Sequence, residues 1–323
     1  MSSSATALQV SEFEASVTVD ATERIADDVL LLRLRPESGE RLPAWTPGAH
    51  IDLILPGDVV RQYSLCGSPA DLGCYQVAVL HVPDGRGGSR TVHGLGEGDR
   101  VRVRGPRNHF PLVASRRYLF VAGGIGITPI IPMLEEVEAA GADWTLHYGG
   151  RTAQSMAFRD LLGKYGDRVR LVAQDQEGLL DLASALGTVT PDTLVYACGP
   201  EPLLRAVEEH CQRWPANSLH LERFAAKERT DDAADTSFDV VLQRSGLTLT
   251  VDPGTTVFDT MRAAGVSVLG SCLEGICGTC EQTVLEGEVD HRDSVLDEEE
   301  QEAQDCMMVC VSRARGPRLV LDA

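Results

Sequence analysis

The chain has 323 residues, a formal net charge of −19 and nine cysteines, but only two lysines. This length suits two or three domains of ordinary size. The negative charge would repel a phosphate backbone and therefore argues against nucleic acid as a partner. No run of about 18 apolar residues occurs, and the first residues lack the basic and apolar regions of a secretory signal. We expect a cytoplasmic protein that does not enter a membrane.

Residues 1–113 alternate apolar and polar side chains in short segments such as VLLLRLR, HIDLIL, YQVAVLHV and RVRVRGP. Glycine and proline separate these segments, a pattern typical of an antiparallel barrel or sandwich. Two stretches are rich in hydrogen-bond donors, RQYS at residues 61–64 and GRGGS at residues 85–89. An arginine can clamp a phosphate, a tyrosine can stack on a flat ring, and a serine can donate a hydrogen bond. Taken alone, either stretch also fits an ordinary surface.

Residues 114–224 alternate strand-like and helix-like segments. The predicted strands are RYLFVAGG, WTLHYGG, RVRLVAQ and TLVYACG, and the predicted helices are TPIIPMLEEVEAAG and PLLRAVEEHCQRW. Such alternation predicts a parallel sheet that is covered by helices on both faces.

Glycine-rich turns follow two of these strands, in AGGIGITP at residues 122–129 and in YACGPEPL. Glycines allow a sharp turn and let backbone N–H groups approach a pyrophosphate. Thr128 is expected to cap the next helix, with Pro129 at its first position. Because both turns lie at the carboxyl ends of parallel strands, we predict that they converge on one dinucleotide crevice rather than being two ordinary turns. The turn residues assigned to this crevice are Gly123, Gly124, Gly126, Thr128, Pro129, Cys198, Gly199 and Pro200.

The preferred dinucleotide is predicted from AQDQEG, which follows the strand RVRLV. Asp175 in this segment can accept hydrogen bonds from the ribose hydroxyls, and its charge would repel a 2′-phosphate. No basic residue stands beside it in the sequence, which favours NADH. Arg151 in GGRT could bind a phosphate and leaves this preference open.

The polar and charged segment at residues 225–237 has no periodicity and is predicted to be a linker. Residues 238–323 then form a compact third unit. FDVVLQ and LTLTVD alternate in the manner of strands and are joined by RSG, which predicts a hairpin. A short helix is expected near TTVFDTMRAAG, shortly before a group of cysteines.

These cysteines have the spacing Cys272-x4-Cys277-x2-Cys280, and 29 residues separate Cys280 from Cys310. Structural zinc sites usually pair two short ligand elements. Three ligands in one loop with a distant fourth instead match the spacing of a plant-type 2Fe–2S cluster, to which thiolates are suited. Zinc and unliganded cysteines are the alternatives.

The fourth ligand is ambiguous because CMMVC contains both Cys306 and Cys310. In plant-type ferredoxins the last ligand lies in an apolar, strand-like stretch, which MVCVSRA resembles. We therefore choose Cys310 and expect Cys306 to be a free thiol. Cys66, Cys74 and Cys211 have no partner pattern and are expected to be packing residues.

The motifs RxYS, GGxGxTP, CGP and the cysteine spacing follow one another along the chain, and HRDSVL at residues 291–296 and MVCVSRA at residues 308–314 follow them. This order resembles the phthalate dioxygenase reductase family, including the reductases of vanillate and related aromatic O-demethylases. The resemblance covers nearly the whole chain. It implies an antiparallel β-barrel flavin domain, an α/β parallel-sheet NADH domain and a C-terminal α+β plant-type ferredoxin (β-grasp) domain. The implied ranges are 1–113, 114–224 and 238–323, with the linker at 225–237.

The resemblance implies FMN between the barrel and the nucleotide domain. The implied FMN residues are Arg61, Tyr63, Ser64, Ala78, Val79, Arg86, Gly87, Gly88, Ser89 and Phe224. Phe224 could instead be a plain core residue at a domain boundary, and Leu80 replaces a basic residue of some relatives. Many proteins of the wider superfamily use FAD, but no adenine-binding insertion follows GRGGS, which favours FMN.

The implied activity is that of the NADH-dependent reductase component of a multicomponent oxygenase, a Rieske-type aromatic dioxygenase or O-demethylase. NADH would pass hydride to FMN, and single electrons would leave through the 2Fe–2S cluster to a terminal oxygenase. Thr128, Cys198 and Phe224 would only position the reacting rings, since no acid–base residue is needed. We expect a monomer. The alternatives are a reductase of a haem-thiolate monooxygenase, a redox sensor or electron-storage module, and a zinc-stabilised binding module.

Overall fold

The computed structural model describes residues 13–57, 59–226, 235–296 and 298–323, which fold into three sheet-based units. The central part of the predicted linker, residues 227–234, lies outside the described residues. None of the helices formed by the described residues is long and apolar enough to cross a membrane.

The first unit is an antiparallel barrel, as the alternating segments predict. Its elements are β1 Glu14–Ala26, β2 Val29–Pro36, β3 His50–Leu55, β4 Val59–Ser64, β5 Tyr75–Leu80, α1 Gly88–His93 and β6 Arg100–Arg107. The strand order is β4-β3-β6-β1-β2-β5, and a bridge between Leu65 and Val77 joins the two outer strands. Apolar side chains such as Leu32, Ile51 and Val103 fill the interior.

The second unit is a five-stranded parallel sheet. Its elements are β7 Arg117–Gly123, a 3-10 turn Gly124–Ile127, α2 Ile130–Ala139, β8 Asp143–Gly150, α3 Arg159–Leu162, a 3-10 helix Gly163–Arg168, β9 Val169–Ala173, α4 Gln174–Glu177, α5 Leu182–Leu186, β10 Thr193–Cys198, α6 Glu201–Cys211 and β11 Leu219–Glu222. Helix α2 packs with Phe120 and Tyr196 on one face of the sheet. Helices α5 and α6 pack with Val121 and Val195 on the other.

The strand order of this sheet is β11-β10-β7-β8-β9, so that β7 and β10 are neighbours although about 70 residues lie between them in the chain. The chain runs outward in one direction from β7 through β8 and β9, and in the other from β10 to β11. In open α/β sheets, ligands bind outside the carboxyl ends of the two strands where the order reverses. A ligand site is therefore expected at the turns that follow β7 and β10.

The third unit is α+β, as expected. Its elements are β12 Phe238–Leu242, β13 Leu247–Val251, α7 Val257–Ala263, β14 Glu281–Glu286, β15 Val289–Asp290, α8 Glu298–Ala303, β16 Cys306–Met308, β17 Arg313–Ala314 and β18 Arg318–Leu321. Strands β12 and β13 form the predicted hairpin, and β12 pairs in parallel with the last strand, β18. The Thr256 side chain caps α7 by accepting a hydrogen bond from the Asp259 N–H. The cysteine loop lies between α7 and β14.

Candidate cofactor sites

The turns after β7 and β10 are in contact with each other. A Cβ atom on Gly126 would lie 2.7 Å from the backbone nitrogen of Gly199, and one on Gly123 would lie 2.7 Å from Cδ of Pro200. Glycine is needed here because two backbones approach closely, not because a positive φ is required at these two positions. The fold thus gathers the predicted turn residues at one carboxyl edge of the sheet.

The predicted cap by Thr128 is wrong. The 3-10 turn Gly124–Ile127 intervenes, and Thr128 has helical backbone angles at its end, φ −58° and ψ −49°. Its hydroxyl donates back to the Ile125 carbonyl at 2.9 Å, while Pro129 directly precedes α2 and makes no side-chain cap. Thr128 is almost fully buried, and its hydroxyl is used within the turn itself.

Arg151 and Asp175 lie at the same edge, after β8 and β9 respectively. The Asp175 N–H donates to the Arg151 carbonyl at 3.1 Å, which joins the two loops. The Asp175 side chain is exposed at the N-terminal turn of α4. The loops that carry Asp175 and Arg151 therefore meet at the edge of the sheet where an adenosine ribose would lie.

Cys198 has a partner that the sequence did not reveal, Glu222. Their strands pair in register, and the Cys198 thiol points at Glu222 Oε2 at 3.8 Å. Burial raises the pKa of Glu222 to about 8, and the thiol only partly offsets this. Burial, and secondarily the Glu222 carboxyl, raise the pKa of Cys198 well above its usual value. No sequence signal indicated this pair, because it depends on the register of β10 with β11.

On the barrel, RQYS and GRGGS come together. Arg61 reaches from β4 to the second turn and donates to the Arg86 carbonyl at 3.1 Å. A Cβ atom on Gly88 would lie 2.6 Å from Nε of Arg61, so any other residue at this position would have to displace the arginine side chain. Gly87, with φ 81°, directly precedes α1, and the Ser89 hydroxyl accepts from the Val82 N–H at 3.0 Å.

The remaining predicted flavin residues line the neighbouring strands. Ser64 is buried at the end of β4, and burial raises the pKa of Tyr63 to about 12. Ala78 packs with the nucleotide unit, whereas Val79 lies in the barrel core. Phe224 is 42% exposed just after β11, so it is not a core residue. Two guanidiniums, a glycine-lined cradle and available aromatic rings suit the phosphate and the flat ring of a flavin.

The four predicted cluster ligands also meet. The Cys310 thiol lies within hydrogen-bonding reach of Cys272 and Cys280, and the Cys272 thiol within reach of Cys277. The Glu274 N–H donates to Cys272 Sγ at 3.3 Å, and the Cys272 N–H donates to Cys277 Sγ at 3.5 Å. Backbone N–H groups aimed at sulfur are typical of iron–sulfur sites. Among the described residues, no three His, Cys, Asp or Glu side chains are placed to hold one metal ion together.

Cys306 lies apart from this group, in β16. Burial raises the pKa of its thiol to about 12, with contributions from the carboxylates Glu281 and Asp305 and none from another cysteine. The two alternatives for the fourth ligand therefore differ in surroundings, and the surroundings of Cys310 suit a cluster.

The cluster loop lies against the flavin barrel. Glu274, two residues after Cys272, forms an ion pair of 2.7 Å with Arg86 of the GRGGS turn. Ser271, on the other side of Cys272, accepts a hydrogen bond from Gln62 of RQYS. The candidate flavin and cluster sites are thus neighbours, although 188 residues separate Arg86 from Glu274 in the chain.

Comparison with known proteins matches each unit to a family. Residues 16–111 match the oxidoreductase FAD-binding domain, residues 120–209 the oxidoreductase NAD-binding domain, and residues 240–315 the 2Fe-2S iron-sulfur cluster binding domain. A toluene-4-sulfonate monooxygenase system reductase subunit of Comamonas testosteroni is 45% identical, over 96% of this chain and 99% of its own. The solved structure of phthalate dioxygenase reductase, which transfers electrons from pyridine nucleotides to a [2Fe-2S] cluster, is 34% identical with a TM-score of 0.70, over 96% of this chain and 98% of its own.

The chain belongs to the phthalate dioxygenase reductase family. It is an oxidoreductase with flavin-binding, NAD-binding and 2Fe–2S domains, and the predicted fold class is confirmed. A type IV self-sufficient cytochrome P450 monooxygenase is also similar, with 49% identity and a TM-score of 0.90 over 96% of this chain. The chain spans 41% of the length of that protein.

Proposed function

We propose that this protein is the NADH-dependent reductase component of a multicomponent oxygenase, with FMN as its flavin. The observation that carries the proposal is the Arg86–Glu274 ion pair, which joins a residue of the candidate flavin site to the cluster loop. When bound together, the nicotinamide, the flavin and the cluster would allow two electrons to be taken from NADH at once and passed on one at a time. The proposed domains are residues 1–113 for FMN, 114–224 for NADH and 238–323 for the cluster, with 225–237 as the linker.

In the flavin site, the guanidiniums of Arg61 and Arg86 bind the phosphate together with the backbone of Gly87, Gly88 and Ser89. Tyr63 and Phe224 enclose the ring, which rests on β5 at Ala78 and Val79, and Ser64 offers a hydroxyl at the end of β4. FMN rather than FAD is supported by the connection between β5 and β6. Residues 81–99, all of them described, contain only α1 and short turns, and provide no further element to face an adenine.

In the nucleotide site, the turns at Gly123–Pro129 and Cys198–Pro200 bind the pyrophosphate and the nicotinamide end. Asp175 accepts from the adenosine ribose and repels a 2′-phosphate, and Arg151 beside it contacts a phosphate of NADH. Burial raises the pKa of both Cys198 and Glu222, which favours their neutral, protonated forms. They present neutral donors to the nicotinamide and exclude water from it.

Cys272, Cys277, Cys280 and Cys310 are the proposed cluster ligands, and Cys306 is not one. The acceptor of the electrons is a terminal oxygenase, of the Rieske-type aromatic dioxygenase or O-demethylase class. An oxygenase acceptor is supported by the relatives, among them the toluene-4-sulfonate monooxygenase reductase subunit. We further propose that the protein is a cytoplasmic monomer.

A second candidate acceptor is a haem-thiolate monooxygenase. It is favoured by one specific observation, the 49% identity to part of a self-sufficient cytochrome P450 monooxygenase, a higher identity than to the toluene-4-sulfonate reductase subunit. Electron transfer from the purified protein to a Rieske oxygenase and to a cytochrome P450 would distinguish the two acceptors.

The test is the visible absorption spectrum of the purified protein before and after anaerobic NADH. We expect a flavin band with broad iron–sulfur absorption at longer wavelength, both bleached by NADH and only slowly by NADPH. Mass spectrometry of the released flavin should give FMN. Fast reduction of a one-electron acceptor would exclude an electron-storage module, and flavin without iron would overturn the reductase proposal in favour of a zinc site.

A further inference from the structure

The residues of the cluster loop that are not ligands make specific contacts with the flavin barrel. Ser271, Glu274 and Gly278 alternate with the ligands Cys272, Cys277 and Cys280 along the loop. Each of the three contacts a different part of the barrel, at β4, at the GRGGS turn and after β6. The loop therefore carries the cluster ligands and also contacts the barrel, through different residues.

The Ser271 contact is linked to the barrel core through Gln62 and Asp52. Asp52 is fully buried in β3, and its Oδ1 accepts from Gln62 Nε2 at 2.8 Å. The same Gln62 amide donates to the Ser271 hydroxyl. Because Asp52 fixes the orientation of the amide, Ser271 meets a donor that is already in place rather than a mobile surface side chain.

The Gly278 contact is steric. A Cβ atom at this position would lie 2.9 Å from Nδ1 of His109, and φ of Gly278 is 68°. The backbone of the loop thus sits directly on the imidazole ring. The Glu274 contact is electrostatic and near solvent, with the side chains of Arg86 and Glu274 59% and 36% exposed.

One more polar contact joins the third unit to the rest of the protein on another side. Asn217, before β11, donates to Glu299 of α8 at 2.8 Å. Apart from the steric contact at Gly278, these contacts are two hydrogen bonds and one ion pair. Salt screens an exposed ion pair of this kind. Polar interfaces of this kind between domains permit relative motion.

We propose that Glu274 and Ser271 are positioning residues that dock the ferredoxin unit on the flavin barrel, and that this docking is a salt-sensitive, reversible equilibrium. The inference rests on the proposed function and deepens it. In the step concerned, one electron leaves the reduced flavin and is gained by the oxidised cluster, and no bond forms or breaks. Docking sets the rate of this step but not the rate at which NADH reduces the flavin, because neither residue touches the nucleotide site.

The experiment uses the full-length protein loaded with flavin and cluster, mixed with NADH in an anaerobic stopped-flow instrument. The first absorbance phase reports flavin reduction and the second reports cluster reduction. We expect Glu274→Arg, which places like charges opposite each other, to slow the second phase about tenfold or more relative to the first. Glu274→Gln should slow it about threefold. Added salt should slow the second phase of the wild type and have less effect on Glu274→Gln.

The matched control is Glu288→Arg, which reverses the charge of an exposed glutamate paired with Arg315 inside the same unit. It should leave both phases unchanged. A readout that does not depend on activity is hydrogen–deuterium exchange of residues 86–93, which should be faster in Glu274→Arg than in Glu288→Arg.

If Glu274→Arg behaves like the wild type in both measurements, the docking proposal is overturned. The same holds if Glu288→Arg slows the second phase equally. A wild-type protein in which NADH reduces no cluster would instead contradict the proposed function itself, so the two failures are distinguishable.

Discussion

A Cβ atom on Gly126 would lie 2.7 Å from the backbone nitrogen of Gly199, nearer than the 3.0 Å limit that real Cβ atoms respect. Gly126→Ala must therefore push the turns after β7 and β10 apart. We expect a loss of about 1–3 kcal/mol in the free energy of unfolding and weaker NADH binding. Urea unfolding and calorimetric titration with NADH measure the two effects.

Gly163→Ala is the control for this prediction. Gly163 has φ −55°, and a Cβ atom there would meet nothing within 4 Å. It should unfold like the wild type or slightly later, since alanine restricts the unfolded chain. Equal stability of the two variants would show that the glycine turns tolerate a side chain, against this account of the crevice.

The choice of the fourth cluster ligand can be checked by a pair of substitutions. Cys310→Ser should lose most of the iron and acid-labile sulfide, because the Cys310 thiol faces Cys272 and Cys280. Cys306→Ser should keep both, because the groups around the Cys306 thiol are the carboxylates of Glu281, Glu300 and Asp305 rather than cysteines. The reverse pattern of iron content would assign the cluster to Cys306.

Local sequence signals predicted the three units because each unit has its own pattern. Alternation predicted the barrel, strand–helix alternation the parallel sheet, and cysteine spacing the candidate cluster loop. The glycine turns were predicted from their position after apolar strands. The cap by Thr128 failed because a 3-10 turn places that residue in helical geometry before α2 begins.

Contacts between distant segments could not be predicted in this way. Gln62 and Ser271 are 209 residues apart, and nothing in RQYS or SCLEG indicates that they pair. The Cys198–Glu222 pair depends on the register of β10 with β11, and a shift of one residue would turn Glu222 to the other face. Burial, which raises the pKa of Glu222, is likewise a property of the assembled fold.

Glu222 should make stability depend on pH. Burial raises its folded-state pKa from the usual 4.5 to about 8. Between these values the folded protein keeps a proton that the unfolded chain has released, so the free energy of unfolding falls as pH rises through this window. Water around this half-buried carboxyl reduces the size of the effect.

Glu222→Gln should remove this contribution. We expect the variant to gain stability relative to the wild type as pH rises from about 5 to about 8. Thermal unfolding at several pH values measures this difference in stability. The control is Glu209→Gln, at an exposed position on α6. Parallel curves for wild type and Glu222→Gln would mean that Glu222 is ionised in the folded protein at neutral pH.

Asp52 supports both the barrel and the contact of Gln62 with Ser271. It is fully buried, and its carboxylate accepts from Arg104 at 2.7 and 2.9 Å and from Arg107 at 2.5 Å. Burial alone would raise the pKa of Asp52, but the guanidinium of Arg107 and the hydrogen bonds hold it below its usual value. Asp52→Ala leaves buried positive charges without their counter-ion and should cost about 3–5 kcal/mol in the free energy of unfolding.

The control is Asp20→Ala, which removes an exposed ion pair with Arg35 and should change stability far less, because solvent screens exposed pairs. Since the folded pKa of Asp52 is lowered, its stabilising contribution is present above the unfolded value of 3.8 and is lost as pH falls below it. The difference between wild type and Asp52→Ala should therefore shrink in acid, as denaturant unfolding at pH values on either side of 3.8 would show. A difference that stays constant with pH would mean that Asp52 stabilises the barrel by packing rather than by its charge.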